Sequence, residues 1–147
     1  MYSWKLIFRQ TPNYLWNTTD PRTDYKNKDS PDSNEYSIFK DIASLKNEQN
    51  VWHFRYKHYN NNVLRFTNEW KQSGSLFDSN GNQFVTGYDA IDIETTSNGW
   101  GGLRYGRWAN ATHMQGGTGG WWNAVATQIL HYDGIPGLGN QVADKIE

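Results

Sequence analysis

Two alternating stretches around a short polar turn constrain the fold more than any other feature of this sequence. In Val51–Tyr59, aromatic residues take every second position, and histidine or basic residues lie between them. Val63–Lys71 likewise keeps apolar side chains on one side, at Leu64, Phe66 and Trp70. Because successive side chains of a strand point to opposite faces, these stretches, joined by Asn60-Asn61-Asn62, predict a β-hairpin with one aromatic face.

Four further stretches have strand-like patterns. They are Ser3–Gln10, Tyr88–Ile93, Trp121–Leu130 and Gln141–Ile146. Trp121–Leu130 also fits a helix, and a strand is preferred there because its flanks are rich in glycine. Repeated alternation with turn signals between the strands predicts antiparallel sheets.

One helix is expected, over Asn34–Lys46. Apolar residues recur there at helical spacing, at Ile38, Phe39, Ile42 and Leu45. Asp32, followed three positions later by Glu35, matches the capping box that begins many helices. The predicted fold is therefore mostly β: an antiparallel β-sandwich or jelly-roll with one α-helix packed on it.

Length and glycine distribution bear on the domain count. All 14 glycines fall at Gly74 or later, which is compatible with two domains, but each half would be small. We therefore expect residues 1–147 to form one domain, with a regular first half and a loop-rich second half. Such a domain can stand alone, or belong to a longer protein or a multi-copy assembly.

The charge balance argues against several classes of partner. Lys and Arg number 14 against 15 for Asp and Glu, so bulk electrostatics does not favour nucleic acid. No stretch reaches the length of a membrane span, and residues 1–5 do not resemble a signal peptide. Cysteine is absent, which excludes disulfides and leaves the compartment open.

Two stretches carry oxygen ligands without the spacing of a calcium loop. Scattered aspartates occur in Thr11–Ser33, which is expected to be a solvated loop. In Asp78–Asn82 the glycine stands at the wrong position for calcium, and an Asn80-Gly81 hairpin turn is preferred. His53 and His58 have opposite parity and are expected at the surface. We therefore expect no metal and no other cofactor.

No catalytic signature is present in the sequence. It lacks a nucleophile elbow, a phosphate-binding loop, zinc-ligand spacing and a dinucleotide fingerprint. Asp92 and Glu94 share one face of the Tyr88–Ile93 strand, and a hydrolase acting on polysaccharide needs two carboxyl groups roughly 5 to 10 Å apart. The pair is equally an ordinary polar strand face. We expect a protein that is not an enzyme and assign no catalytic residue.

Candidate binding residues are concentrated in Tyr88–Trp122, which combines tryptophans with many glycines. A sugar ring presents an apolar C–H face and a rim of hydroxyls, so its site needs an aromatic platform and planar polar partners. Seven residues supply both kinds of group: Trp100, Arg104, Arg107, Trp108, Asn110, His113 and Trp121.

We expect the segment Asn98–Gly120 to form the recognition face, with Trp100 or Trp108 as the platform and Arg104 or Arg107 holding the hydroxyls. The expected function is lectin-like binding of a glycan or cell-surface polysaccharide. Besides a hydrolase acting on polysaccharide through Asp92 and Glu94, two alternatives stay open. The tryptophans can instead be core side chains, or the protein can be a structural subunit of a fibre, filament or capsid, whose aromatic loops bind neighbouring copies.

Four segments together resemble lectin-like or fibre-tip domains of marine microbes and large viruses. They are the opening Trp4–Thr11, the Gly87–Ile93 strand, and the Asn98–Leu103 and Gly134–Gly137 turns. The resemblance spans most of the chain and implies a β-sandwich located outside a cell or on a virion surface. It carries over no catalytic or binding residue. In such chains the last segment runs further through an apolar strand, whereas this sequence ends at Ile146-Glu147.

Overall fold

The computed structural model describes residues 3–11, 16, 20–74, 84–94, 100–108, 111–116, 123–126 and 145–147, with the backbone alone at 105–108, 111–116 and 123–124. The described residues form nine strands and one 3-10 helix, Phe39–Leu45. The strands are β1 (Phe8–Arg9), β2 (Tyr36–Ser37), β3 (Trp52–Asn60), β4 (Val63–Gln72), β5 (Asp89–Ile93), β6 (Leu103–Trp108), β7 (Ala111–Gly116), β8 (Asn123–Val125) and β9 (Lys145–Ile146).

The predicted central hairpin is confirmed. β3 and β4 pair antiparallel from Trp52–Gln72 to Asn60–Val63. Asn61 and Asn62 take φ values of 53° and 59°, the left-handed pair that a two-residue hairpin turn requires. Burial alternates along β3 as expected. Leu64, predicted on the apolar side, is exposed because it lies at the turn end of the hairpin, beyond the core.

β9 extends the hairpin into a larger sheet. The strand order is β5-β4-β3-β9, and every pair is antiparallel. On its other side β9 pairs with Gln10, whose N–H donates to Ile146 O at 3.1 Å and whose carbonyl accepts from Ile146 N at 3.0 Å. Residues immediately after β1 thus act as a further strand. The strand predicted over Ser3–Gln10 is shorter, since regular pairing begins only at Phe8.

The single predicted helix is present but is shorter and of a different type. Tyr36 and Ser37, assigned to the helix by sequence, instead form β2 against β1. The residue before the helix is Ile38, and no side chain caps it, so the predicted capping box is wrong. Phe39 and Ile42 are buried as expected, while Leu45 is only partly buried against the core.

One aromatic core joins the sheets. It includes Phe8, Trp16, Phe39, Trp52, Phe54, Tyr56, Trp70, Trp100, Leu103, Val125 and Ile146, drawn from β1, the helix, the central sheet and the three-stranded sheet β6-β7-β8. The mostly β, antiparallel architecture with one helix is therefore confirmed for the described residues. The finer assignment to a sandwich or jelly-roll stays a prediction.

Of the two histidines of β3, only His58 is buried. His58 is 3% exposed and its ring stacks on Phe66 at 4.5 Å. His53 lies on the opposite face, as its parity predicts, and contacts the Glu69 carboxylate at 2.7 Å. The surface assignment is wrong for His58, because the inward face of β3 continues to the end of the core.

Several predicted features fall outside the described residues. These are the Asp78–Asn82 turn, the Gly134–Gly137 turn and most of the Trp121–Leu130 and Gln141–Ile146 strands, of which β8 and β9 are described. Within the described part of the chain, no helix is long and apolar enough to cross a membrane.

Candidate functional site

Trp100 is a core side chain. It is 4% exposed, and its ring lies 5.1 Å from that of Tyr56 and meets Trp70 edge-on at 4.9 Å. A buried ring has no free face for a sugar, so the expectation that Trp100 is the platform is wrong. The core alternative holds for this tryptophan because its side chain fills the space between the aromatic face of the central hairpin and the start of β6.

Arg104 is also buried. It is 4% exposed at the base of β6, and burial lowers the pKa of its guanidinium. A guanidinium in this position does not reach a ligand in solvent, so the expected role of Arg104 as a hydroxyl clamp is wrong.

The backbone of the β6–β7 hairpin brings three other predicted residues near one another. Gly106 pairs with His113, Arg107 with Thr112 and Trp108 with Ala111, so these positions occupy the far end of the hairpin. Asn110 and Trp121 lie outside the described residues, as do the side chains of Arg107, Trp108 and His113. The site predicted at these five positions stays a prediction.

One exposed aromatic ring, stacked on a half-buried one, lies beside the predicted recognition segment. Phe84 is 62% exposed, and its ring stacks on that of Tyr88 at 5.3 Å with an interplanar angle of 13°. Tyr88 is half-buried and packs against the core. The Phe84 ring therefore faces solvent on one side, and the Tyr88 ring packs against its other side. We call Phe84, Tyr88 and Asp89 the aromatic patch.

Glycines hold the segment 84–88 in place. Val85 N donates to Gly101 O at 2.9 Å, and Tyr88 N closes a turn onto Val85 O at 3.1 Å. Gly102 has φ +98°, and a Cβ there would lie 2.3 Å from Val85 Cγ2 and 3.3 Å from Tyr88 Cδ2. Only glycine permits this close approach of β6 to the aromatic patch.

Asp89 is the charged member of the aromatic patch. Asp89 is exposed and follows Tyr88 directly, and it stands opposite Lys71 in the β4–β5 register. Burial raises the pKa of the Tyr88 hydroxyl, and the charge of Asp89 raises it further. The Tyr88 hydroxyl of the patch is therefore neutral at pH 7.

Sequence reasoning missed Phe84 as a binding residue. Its alternation with Val85 assigned it to a hairpin strand around Asn80-Gly81, where an aromatic side chain needs no further explanation. The only local signal was its position between glycine-containing turns, at Gly81 and Gly87. That signal does not distinguish a ring facing solvent from one facing the core.

In the carboxylate pair Asp92 and Glu94, Glu94 makes hydrogen bonds that support the sheet. Glu94 Oε2 accepts from the backbone N–H of Thr67 at 2.7 Å, and Glu94 N donates to Asn68 Oδ1 at 3.1 Å. Glu94 thus continues the pairing at the end of β5. Among the described residues, no three His, Cys, Asp or Glu side chains are grouped as metal ligands would be.

Comparison with protein-family models, with curated proteins and with solved structures gave no significant match for this chain.

Proposed function

We propose that this protein is a non-enzymatic, lectin-like domain that binds a glycan outside a cell or on a virion surface. The observation that supports this proposal best is the exposed Phe84 ring, stacked on Tyr88 and seated against the Gly101–Gly102 backbone. This places an aromatic surface next to the segment in which the planar polar side chains are concentrated. The platform in this proposal is Phe84 in place of Trp100.

The chemistry of the aromatic patch matches the two sides of a sugar ring. The open face of Phe84 can pack against the C–H groups, and the Asp89 carboxylate can accept hydrogen bonds from hydroxyls. Arg107, Trp108, Asn110 and His113, at the far end of the β6–β7 hairpin, are proposed as further contacts.

A single site of this kind should bind weakly. Packing one aromatic ring against an apolar face contributes about 0.5 to 1.5 kcal/mol beyond area burial. The Phe84 ring is 62% exposed, so that few hydroxyls of a bound sugar are removed from water. Useful affinity then comes from several copies acting together on one polysaccharide.

The test is calorimetric titration of the protein with a panel of soluble glycans, together with Phe84→Ala and Asp89→Asn. Leu64→Ala is the matched control, because Leu64 is also an exposed apolar residue, 46% exposed, at the turn end of the β3–β4 hairpin. We expect binding that Phe84→Ala abolishes and Leu64→Ala leaves unchanged. Unchanged binding in a folded Phe84→Ala variant would place the site elsewhere, and the absence of binding to the whole panel would contradict the proposal.

A structural subunit of a fibre, filament or capsid is the second candidate. It is favoured by apolar side chains left open at the turn of the central hairpin, where Val63 is 52% and Leu64 46% exposed. Apolar groups at such a tip suit contact with a neighbouring copy. Concentration-dependent oligomers in light scattering that disappear in Leu64→Ala, with no glycan binding, would favour this candidate.

A further inference from the structure

The outward face of the central sheet is divided by charge. Side chains of β3 alternate between core and solvent, so that Arg55, Lys57 and Tyr59 share the outward face. Residues paired across neighbouring strands point to the same face, so Lys145 of β9, paired with Tyr59, joins this side. β5 forms the other edge of the sheet and begins with the exposed Asp89. Cations therefore gather at the β3–β9 side, away from the acidic β5.

Two aromatic rings hold cations on the β3–β9 side. The Arg55 guanidinium lies 4.3 Å from the ring centre of Trp4, and the Lys145 ammonium lies 4.0 Å from that of Tyr59. A cation is attracted to an aromatic face, and a side chain held in this way loses less conformational freedom when it binds a ligand. Both cations are therefore positioned in advance for an anion.

The carboxylates on this side of the sheet already have partners within the protein. Glu147 accepts a hydrogen bond from Arg9 Nε at 2.9 Å. Glu69 stands opposite Arg55 in the β3–β4 register, and its Oε1 contacts His53 Nε2 at 2.7 Å. Neither carboxylate therefore neutralises the cations that the two rings hold.

Positive charge is in excess around these carboxylates. Burial raises the pKa of the Glu147 carboxyl, yet Arg9, Lys145 and Lys57 together lower it below its ordinary value. Among the described residues, no carboxylate lies within ion-pair distance of Arg55 or Lys57. The whole chain has a formal charge of −1, so this excess is a local property of the sheet. We call Arg9, Arg55, Lys57 and Lys145 the basic face.

The rings also indicate which kind of anionic polymer fits. Proteins that bind single-stranded nucleic acid stack the bases on open aromatic faces. On the basic face, a cation lies over the ring of Trp4 and another over that of Tyr59, and Trp4 also meets the His53 ring edge-on at 4.9 Å. An acidic polysaccharide needs no such stacking, because its carboxylate or sulfate groups bind guanidinium and ammonium donors directly.

We propose that the basic face is a second binding surface, for an acidic polysaccharide whose carboxylate or sulfate groups contact Arg55, Lys57 and Lys145. Successive outward residues of β3 are roughly 7 Å apart, so one polymer lying along the strand meets both Arg55 and Lys57. The surface is separate from the glycan site proposed at the aromatic patch. Asp89 of that patch begins β5, two strands away from β3, and its carboxylate repels anions.

The probes are a sulfated oligosaccharide of the heparin type, an oligouronate and a neutral glycan of the same length, titrated by calorimetry at several salt concentrations. We expect both acidic probes to bind. Changing Arg55→Gln together with Lys57→Gln should weaken their binding about tenfold at low salt, because two ionic contacts are lost. The slope of log Kd against log salt should also fall by roughly two. Binding of the neutral glycan should not change.

Lys28→Gln together with Lys40→Gln is the matched control. These two lysines also lie over one aromatic ring, that of Tyr25, at 4.6 and 5.0 Å, and the pair of substitutions removes the same charge. Acidic binding should be unchanged in this variant. Melting temperatures check that each variant is folded. If the double variant of the basic face does not fold, Lys57→Gln alone is used and should lower the salt slope by roughly one.

Three outcomes would overturn the proposal. The first is that neither acidic probe binds, and the second is that the variants of the basic face and of the Tyr25 lysines weaken binding equally. The third is that single-stranded oligothymidylate of equal charge binds more tightly than the sulfated probe, which would make the ligand a nucleic acid. Phe84→Ala should leave acidic binding intact, so failure of the aromatic patch and failure of the basic face are measured separately.

Discussion

The side-chain amide of Gln72 hydrogen-bonds to the backbone of Leu103 as a neighbouring strand would. Gln72 Oε1 accepts from Leu103 N at 2.9 Å, and Gln72 Nε2 donates to Leu103 O at 2.9 Å. The same oxygen accepts from the indole of Trp70 at 2.8 Å. The side chain of Gln10 makes a similar bond to the backbone of another strand end: its Oε1 accepts from Ala126 N at 3.0 Å. Two buried glutamines therefore tie the three-stranded sheet to the rest of the fold.

Gln72→Leu should destabilise the protein strongly. The substitution keeps the volume but leaves the backbone groups of Leu103 and the Trp70 indole buried without this partner, and each such group costs about 1 to 3 kcal/mol. The free energy of unfolding in urea should fall by at least about 2 kcal/mol. Gln49→Leu, on an exposed residue, is the control and should stay within about 0.5 kcal/mol of the parent. If both variants lost the same free energy of unfolding, the Gln72 amide would not stabilise the protein through its specific hydrogen bonds.

Replacing a side chain of the 3-10 helix by alanine should destabilise the protein more at Phe39 than at Leu45. Phe39 is 2% exposed and stacks on Phe8 at 5.1 Å, so Phe39→Ala should cost about 3 to 5 kcal/mol in urea unfolding. Leu45 is only partly buried, so Leu45→Ala should cost clearly less than the roughly 2 to 5 kcal/mol of a fully buried leucine. Lys40→Ala, on the exposed face, serves as the control. A larger loss for Leu45 than for Phe39 would be inconsistent with the packing described.

Gly102→Ala should damage both stability and the aromatic patch. The φ of +98° is unfavourable for alanine, at a cost of about 1 to 3 kcal/mol, and the new methyl would collide with Val85. Thermal unfolding should show the loss, and the NMR signals of Phe84 and Tyr88 should shift. Adding Val85→Ala relieves the collision but not the backbone strain, so the double variant should recover stability only in part. Full recovery would show that φ at this position is unimportant.

Alkaline pH should destabilise the protein, in part through Tyr56. Burial raises the pKa of its hydroxyl well above the ordinary value of 10.0. The folded state keeps the proton while the unfolded chain loses it, so the contribution of Tyr56 is complete below pH 10 and is lost as the pH rises further. Each pH unit above that value costs about 1.4 kcal/mol for one such group.

Tyr56→Phe should therefore flatten the fall in unfolding free energy between roughly pH 10 and pH 11.5. The variant also loses the contact of 3.3 Å between the Tyr56 hydroxyl and His58 Nδ1, which lowers stability at every pH and leaves the slope unaffected. Tyr25→Phe is the comparison: the hydrogen bond to Asp41 also raises the pKa of the Tyr25 hydroxyl, but by less than burial raises that of Tyr56, so this change should flatten the curve less. Parallel curves for the parent and Tyr56→Phe would contradict the buried, protonated hydroxyl.

Local signals explain why the central hairpin was predictable. The alternation of β3 and β4 and the asparagine turn lie within one continuous stretch, so no distant partner is needed to form the pair. The helix was predictable only in part. Its apolar spacing was correct, but Tyr36 and Ser37 pair with β1 instead, and a partner so distant in sequence is invisible to local periodicity.

The candidate site was less predictable, because composition does not separate buried aromatics from exposed ones. Trp100 and Phe84 both stand near glycines, yet the first is 4% and the second 62% exposed. The difference arises from the approach of β6 to the central hairpin, which covers Trp100 and leaves Phe84 outside. Composition also fails to predict which polar residues are buried. Gln10 and Gln72 are fully buried because their side chains bond to backbone that is distant in sequence.

The pairing of two segments that are far apart in the sequence has a consequence for the order of folding. Arg9 and Glu147 are bonded although they stand 138 positions apart, and β9 separates β3 from Gln10. The β3–β4 hairpin closes over two residues and can form within microseconds. During synthesis, however, β1 cannot complete its pairing until Lys145–Glu147 has left the ribosome. Until then, Phe8 lacks its final neighbours. We expect the slow phase of refolding to report the docking of β9 between strands that are already formed.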